Sequence, residues 1–174
     1  MDSAPDIVPG PVLHVGCGGD PIHPFFDGQV EVRLDIDPTH NPDIIASMVD
    51  MGEIGPFAAV YTCHALEHLY PGDVPVALGE FHRVLKPGGL AYVIVPDLED
   101  IKPTEDVVYE SPAGPVTGLD MFYGMPSLIA GNPYMAHHCG FVSATLKAAM
   151  LAAGFQAVAT TRGVGHNLLA MGVK

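Results

Sequence analysis

The stretch Val12–Gly19, VLHVGCGG, decides how this chain is read. A short apolar run ends abruptly in glycines, and two more strand-like runs follow within a few dozen residues. An apolar strand, a glycine turn and a second strand ending on an acid is how open α/β sheets build a nucleotide-type pocket. Glycine matters in that turn because only backbone without Cβ bends tightly and lets a ligand lie against it.

Working outward, the second strand is Val30–Leu34, ending at Asp35, and a short third includes Ile44 and Ile45. Ala58–Thr62 is the fourth. Leu90–Val95 is the fifth, closed by Pro96 and Asp97. Phe155–Thr161 and Asn167–Gly172 suit a final antiparallel pair joined around Gly163–Gly165. Two helices are expected. One is capped by Asp73 and runs to Leu85, with Val74, Ala77, Leu78, Phe81, Val84 and Leu85 in one apolar stripe. The other is capped by Ser143, carries Leu146, Ala149, Met150 and Ala153 on one face, and ends at Gly154.

The first half lacks the helices a doubly wound sheet normally has. Asp20–Gly28, DPIHPFFDG, holds two prolines and allows about one turn. Asp37–Asp43, DPTHNPD, cannot be helical. In the second strand Val30, Val32 and Leu34 alternate with Glu31 and Arg33, unlike a strand buried on both faces. One sheet face is therefore expected to be open there, or covered by the long segment after the fifth strand, or covered by a second copy in a homodimer. That segment, 98–140, has no strong period and reads as a lid-like insertion in a single domain of residues 1–174. Residues 1–10 read as a loose tail.

Composition narrows the function. The formal charge is −13 with only seven Lys and Arg, which disfavours nucleic acid and anionic membrane surfaces. Nearly half the residues are apolar and few are charged, which argues against disorder. Cys17, Cys63 and Cys139 are odd in number and far apart, as expected of reduced thiols in a cytoplasmic protein. The first residues show no leader pattern, and no apolar run reaches membrane-spanning length.

A dinucleotide would put its pyrophosphate on the helix after the glycines. Here that helix is at most one turn, and Pro21 breaks the G-x-G-x-x-G spacing. A ligand without phosphates, such as S-adenosylmethionine, fits better. Asp35 is placed to accept hydrogen bonds from ribose hydroxyls; its plain alternative is a surface turn residue before Asp37-Pro38. Asp50 is either an acceptor for an adenine amino group or a solvated turn residue.

VLHVGCGG, RLDIDP, SMVDM, YTCHALEHL and FHRVLKPGGLAYVIVPD, in this order, resemble class I S-adenosylmethionine-dependent methyltransferases of the type 11 group. The resemblance covers Val12–Asp97 and extends more loosely to the closing strands. It implies a Rossmann-like α/β fold, mostly parallel, of strand order 3-2-1-4-5-7-6 with strand seven antiparallel and, in this chain, the N-terminal helices trimmed. It implies that Gly16, Cys17, Gly18 and Gly19 hold the methionine end of the cofactor, Asp35 with Ile36 the ribose, and Asp50 with Met51 the adenine. Two positions depart from the pattern: His14 stands where an acid is common, and Asp20 replaces the loop's third glycine.

The end of the fourth strand faces the reacting region of such a sheet, so His64 is the leading general-base candidate and a neighbour of the cofactor. His137 is the second, and His138 the less favoured of that pair. Asp120, Tyr123, Tyr134 and His138 are candidates for lining a small-molecule acceptor pocket. Glu67 and His68 read as structural, and His23, His40, His82 and His166 as surface residues. His64-Ala-Leu-Glu67-His68 also spells the H-x-x-E-H zinc signature, but no suitable downstream carboxylate follows, and Cys63, His64 and Cys139 lack zinc-site spacing. No metal is expected. The expected activity is methyl transfer to an O or N nucleophile of a small molecule. The alternatives are a non-catalytic cofactor-binding module and an NAD-dependent oxidoreductase.

Overall fold

The computed structural model describes residues 7–174. Strands β1 (Val12–Val15), β2 (Glu31–Asp35), β3 (Ile44–Ile45), β4 (Phe57–Cys63) and β5 (Leu85–Pro96) are followed by a hairpin, β6 (Val107–Ser111) and β7 (Gly114–Thr117). The closing strands are β8 (Gln156–Arg162) and β9 (Asn167–Val173). The helices are α1 (Val74–Val84), α2 (Gly118–Tyr123), α3 (Pro126–Ile129) and α4 (Ser143–Ala152).

Seven strands form one sheet in the order β3-β2-β1-β4-β5-β9-β8, with the β6–β7 ribbon apart. Numbering only the strands of the large sheet, this is the expected 3-2-1-4-5-7-6. β1 to β5 are parallel, and β9 runs antiparallel to β5. The second strand starts one residue later than the sequence suggests, because Val30 is 69% exposed and belongs to the preceding turn.

One face of the sheet holds the larger core. Leu13, Val15, Val60, Val93 and Val95 meet Ala77, Leu78, Phe81 and Val84 of α1 and Leu146 and Met150 of α4. The α1 stripe is buried as its periodicity requires. The capping expectations are not met. Asp73 makes no side-chain cap, and Ser143 is already helical, its hydroxyl 2.7 Å from Thr160 Oγ1 on β8. At α4 the Thr145 hydroxyl instead accepts the Val142 N–H.

The opposite face is closed within the chain. Val12, Ala59, Tyr61, Leu90, Tyr92 and Ile94 are buried beneath Ile22, Phe25 and Phe26, the last two on a single 3₁₀ turn, Pro24–Phe26. Phe25 stacks on Tyr92 at 5.4 Å and Phe26 packs against Tyr61 at 5.6 Å. Residues 20–28 thus replace the missing helices with aromatic bulk. Of the covers expected for this face, residues 98–140 contribute nothing to the cluster, whose central side chains are buried under residues 20–28. The loose-tail reading of residues 1–10 falls outside the described residues up to residue 6. Beyond that, Ile7 packs on the aromatic cluster and the Pro9 carbonyl accepts Lys86 Nζ at 2.7 Å, so residues 7–10 are docked.

The segment 98–140 is not structureless. It holds the β6–β7 ribbon, α2 and α3, and it is anchored to the sheet by His138 and Cys139 N–H groups donating to the Glu67 carbonyl at 2.9 and 3.2 Å. These elements run four to six residues and are broken by Pro and Gly, too short to show a period. No helix among the described residues is long and apolar enough to cross a membrane.

Candidate functional site

A cavity of about 280 Å³ opens at the C-terminal ends of β1, β2 and β4, where a parallel sheet places its ligands. Gly16 and Gly18 adopt left-handed backbone with φ of +64° and +48°, so the chain turns sharply out of β1. A Cβ on Gly16 would fall 2.5 Å from that of Ala65, whereas Gly18 and Gly19 face open space. The loop is held from behind by Arg33 of β2, whose guanidinium donates to the Gly18 carbonyl at 2.7 Å and the Asp20 carbonyl at 3.0 Å. Asp35, 8% exposed, completes the corner. Its two oxygens accept the N–H groups of Gly18 (2.8 Å) and Asp37 (2.9 Å).

The other walls come from Ile36, Ser47, Met48, His64, Leu69 and, from the 98–140 segment, Asn132, Tyr134 and Met135. Glycine backbone, one buried carboxylate and mixed apolar walls suit a nucleoside-like ligand carrying no phosphate.

A model of the methyltransferase-domain family matches residues 3–160. The chain belongs to that family. No curated relative matches the sequence. Among solved structures, it is similar to an S-adenosylmethionine-dependent methyltransferase from Mesorhizobium loti. The TM-score is 0.67 at 14% identity, over 98% of this chain and 94% of the other. It is also similar to a methyltransferase of that type from Archaeoglobus fulgidus, with TM-score 0.65 at 14% identity over 95% and 86%. A third is the Burkholderia thailandensis 1,6-didemethyltoxoflavin-N1-methyltransferase with bound S-adenosylhomocysteine. It gives TM-score 0.64 at 16% identity over 95% and 71%. At these identities the likeness establishes the methyltransferase fold.

Within this cavity, the structure gathers Gly16, Gly18, Asp35, Ile36 and His64 from the sequence expectations. Cys17 is buried in the core and Gly19 does not line the cavity. Nor do Asp50 and Met51. Asp50 is exposed and Met51 is 2% exposed in the main core, its N–H donating to Glu80 at 3.0 Å. Ser47 and Met48, three residues earlier, line the cavity instead. His14 is also elsewhere. It points into the aromatic face, 2% exposed, with Nδ1 2.7 Å from Glu31 Oε1. From the loop itself, Asp20 joins Asp35 and Asp37 as an acid lining the cavity.

Of the acceptor-pocket candidates only Tyr134 lines the cavity. Asp120 closes a capping box with Thr117 at the start of α2, Tyr123 is exposed, and His138 stacks on Tyr70 at 4.3 Å. Thr117-x-x-Asp120 ahead of an apolar pair was a legible cap signal. His40, read as a surface residue, also borders the cavity.

His64 is a strained residue at the tip of β4, with φ +50°. Its Nε2 donates to Asn167 Oδ1 at 2.9 Å and its Nδ1 lies 3.3 Å from Glu67 Oε1. Burial opposes its charge, but Glu67, with Asn167 and Asp20 adding, outweighs burial and raises its pKa above the ordinary value. Glu67 is 1% exposed. Burial opposes its ionisation, and His64, His68 and His137 together overcome it and hold the carboxyl below its usual range. His137 is not a cavity residue; it lies with its ring 5.1 Å from that of His68, Nδ1 donating to the Met121 carbonyl at 3.1 Å. Burial lowers its pKa, against the pull of Glu67. Cys63 borders the cavity, but burial pushes its thiol up to about 11, so it is a neutral wall. Sequence reasoning missed Arg33 as the clamp of the loop, Asp20 and Ser47 as wall residues, and Glu67 and Asn167 as the partners of His64.

Proposed function

We propose that this chain is a class I S-adenosylmethionine-dependent methyltransferase, of the type 11 group, acting on an O or N nucleophile of a small-molecule acceptor. The observation that carries the reading is Asp35. A buried carboxylate at the end of β2 faces the cavity beside an opened glycine loop, and no phosphate-binding helix follows that loop.

Gly16 and Gly18 would receive the methionine end of the cofactor, with Asp20 nearby for its amino group. Asp35 would take the ribose through the unused lone pairs of its oxygens. Ile36, Ser47 and Met48 would flank the adenine, in place of Asp50 and Met51. When bound, the cofactor supplies an activated methyl group on a sulfonium. The protein's work is then positioning and exclusion of water. Tyr134, Met135 and Asn132 close the outer wall and make residues 98–140 the lid over the acceptor.

His64 is the candidate base. It acts in its neutral form, with Nδ1–H toward Glu67 and Nε2 freed for the acceptor's proton when Asn167 turns away or the acceptor replaces it. It then receives the acceptor's proton, with Glu67 stabilising the imidazolium. His137 lies outside the cavity, its ring against that of His68, and does not touch the acceptor.

Calorimetric titration of the purified chain with S-adenosylhomocysteine tests the cofactor. Saturable binding is expected, and a folded sample that takes up none at millimolar ligand removes the reading. A methylation assay over a panel of hydroxyl and amine acceptors tests the activity. With a substrate in hand, His64→Gln should lower kcat by about 10²–10⁴-fold with little change in KM. An unchanged kcat removes His64 as base.

A further inference from the structure

Glu67, His68 and His137 form a cluster of which methyl transfer as described uses only the charge of Glu67 beside His64. One potential ligand atom from each lies within 4.8 Å of the others. Neither oxygen of the buried Glu67 has a hydrogen-bond partner. The His64 Nδ1 contact at 3.3 Å lies within ion-pair range of one oxygen but lacks hydrogen-bond alignment. A carboxylate stripped of water and given no donor in return carries a large desolvation cost. Buried carboxylates escape that cost by hydrogen bonding, pairing or coordinating a metal.

The two histidines are prepared as ligands. His137 donates its Nδ1–H to the Met121 carbonyl, which fixes the tautomer and leaves Nε2 with a free lone pair. Metal-ligating histidines are oriented in this way. His68 sits between two carbonyls, Nδ1 3.0 Å from Ala136 O and Nε2 3.1 Å from His64 O. A neutral ring can donate to only one of them, so its other nitrogen is set against an oxygen lone pair. A small turn of the ring toward a cation would relieve that contact.

We propose that Glu67, His68 and His137 bind a divalent first-row transition-metal ion. Two imidazoles and one carboxylate suit zinc, manganese or iron, and not magnesium or calcium, which take oxygen ligands. This set is not that of the H-x-x-E-H signature, since His64 stays outside it and Glu67 is a ligand, so a third ligand is needed. The fold supplies that ligand as a histidine, by hooking residues 137–139 onto the Glu67 backbone. Because His68 borders the cavity, the open side of the ion faces the acceptor space. On the methyl-transfer reading, on which this part rests, the ion holds an acceptor through an oxygen donor.

The full chain, treated with chelator, is titrated with Zn²⁺, Mn²⁺ and Co²⁺ by calorimetry, and the Co²⁺ absorption spectrum reports nitrogen ligation. One ion per chain is expected. Glu67→Gln and His137→Gln should each weaken it by more than the roughly 10–100-fold that loss of an outer-shell partner costs. His82→Gln, away from the cluster, should leave it unchanged. Circular dichroism checks that the variants fold; if Glu67→Gln does not, His137→Gln decides, since its amide can still donate to the Met121 carbonyl. No stoichiometric binding of any of the three ions, or unchanged affinity in folded His137→Gln, overturns the site. S-adenosylhomocysteine binding to the chelated chain is measured in parallel. If it persists while no ion binds, the metal site fails and the cofactor reading stands. If it is absent while the ion binds, the cofactor reading fails and the metal site stands.

Discussion

The two faces of the sheet solve the same problem differently. On one, α1 and α4 lay regular apolar stripes over Val60, Val93 and Val95, an ordinary helix-on-sheet core. On the other, nine residues between the glycine loop and β2 do the work of helices, through Phe25 and Phe26 wedged over Tyr61 and Tyr92. The second face is thinner and more polar. It buries His14 against Glu31, with Arg33 beside them. The comparison teaches that a sheet can lose helices on one side if aromatic area replaces them, and that the cofactor loop then depends on the replacement. Arg33, which clamps that loop, lies on this trimmed side.

The largest expected effects are in the two cores. Phe81→Ala on the helical face should cost about 3–5 kcal/mol in urea denaturation. Phe26→Ala should fall near the lower end of that range, about 3 kcal/mol, because a single turn can settle into the space it leaves. A Phe26→Ala cost below about 1 kcal/mol would mean that the aromatic face is cover rather than core. Next is the junction with the site. Asp35→Ala removes a charge-assisted acceptor worth about 1.5–3 kcal/mol, so S-adenosylhomocysteine affinity should fall by roughly tenfold to a hundredfold. Arg33→Gln should loosen the glycine loop and weaken the same ligand by a few-fold, about 1 kcal/mol. Equal affinity in Arg33→Gln would separate the trimmed face from the site.

The smallest effect concerns pH. Burial depresses the pKa of His14, opposed by Glu31 and Asp20 and assisted by Arg33, while the Tyr61 ring packs 4.8 Å away. A histidine with a folded pKa below its unfolded value loses stability as pH falls through the unfolded value, near 6.5, toward the folded one. Stability should therefore drop as pH falls through about 6.5 and below, and His14→Asn should flatten that part of the curve. An identical pH dependence in the variant would show that His14 is not the group responsible.

Much of this molecule is legible in its sequence. VLHVGCGG, the alternation in 30–34 and the apolar run 90–95 determine strands and turn, because burial and steric freedom act residue by residue along the chain, while the sheet order follows from the family resemblance. The α1 stripe and the trimmed helices follow from the same local rules, as do Gly16, Gly18 and Asp35 at the corner of the cavity. What local rules cannot reach is the meeting of distant residues. Asp50 and Ser47 are equally polar and three positions apart, and only the path of the chain after β3 decides which one faces the cavity. His14 reads as an altered loop residue until the pleat of β1 turns it onto the other face. Glu67 reads as merely structural until residues 137–139 close over it and His64, His68 and His137 surround its carboxylate. A side chain's charge state and ligands depend on what lies within a few ångströms in space, and that is set by tertiary structure.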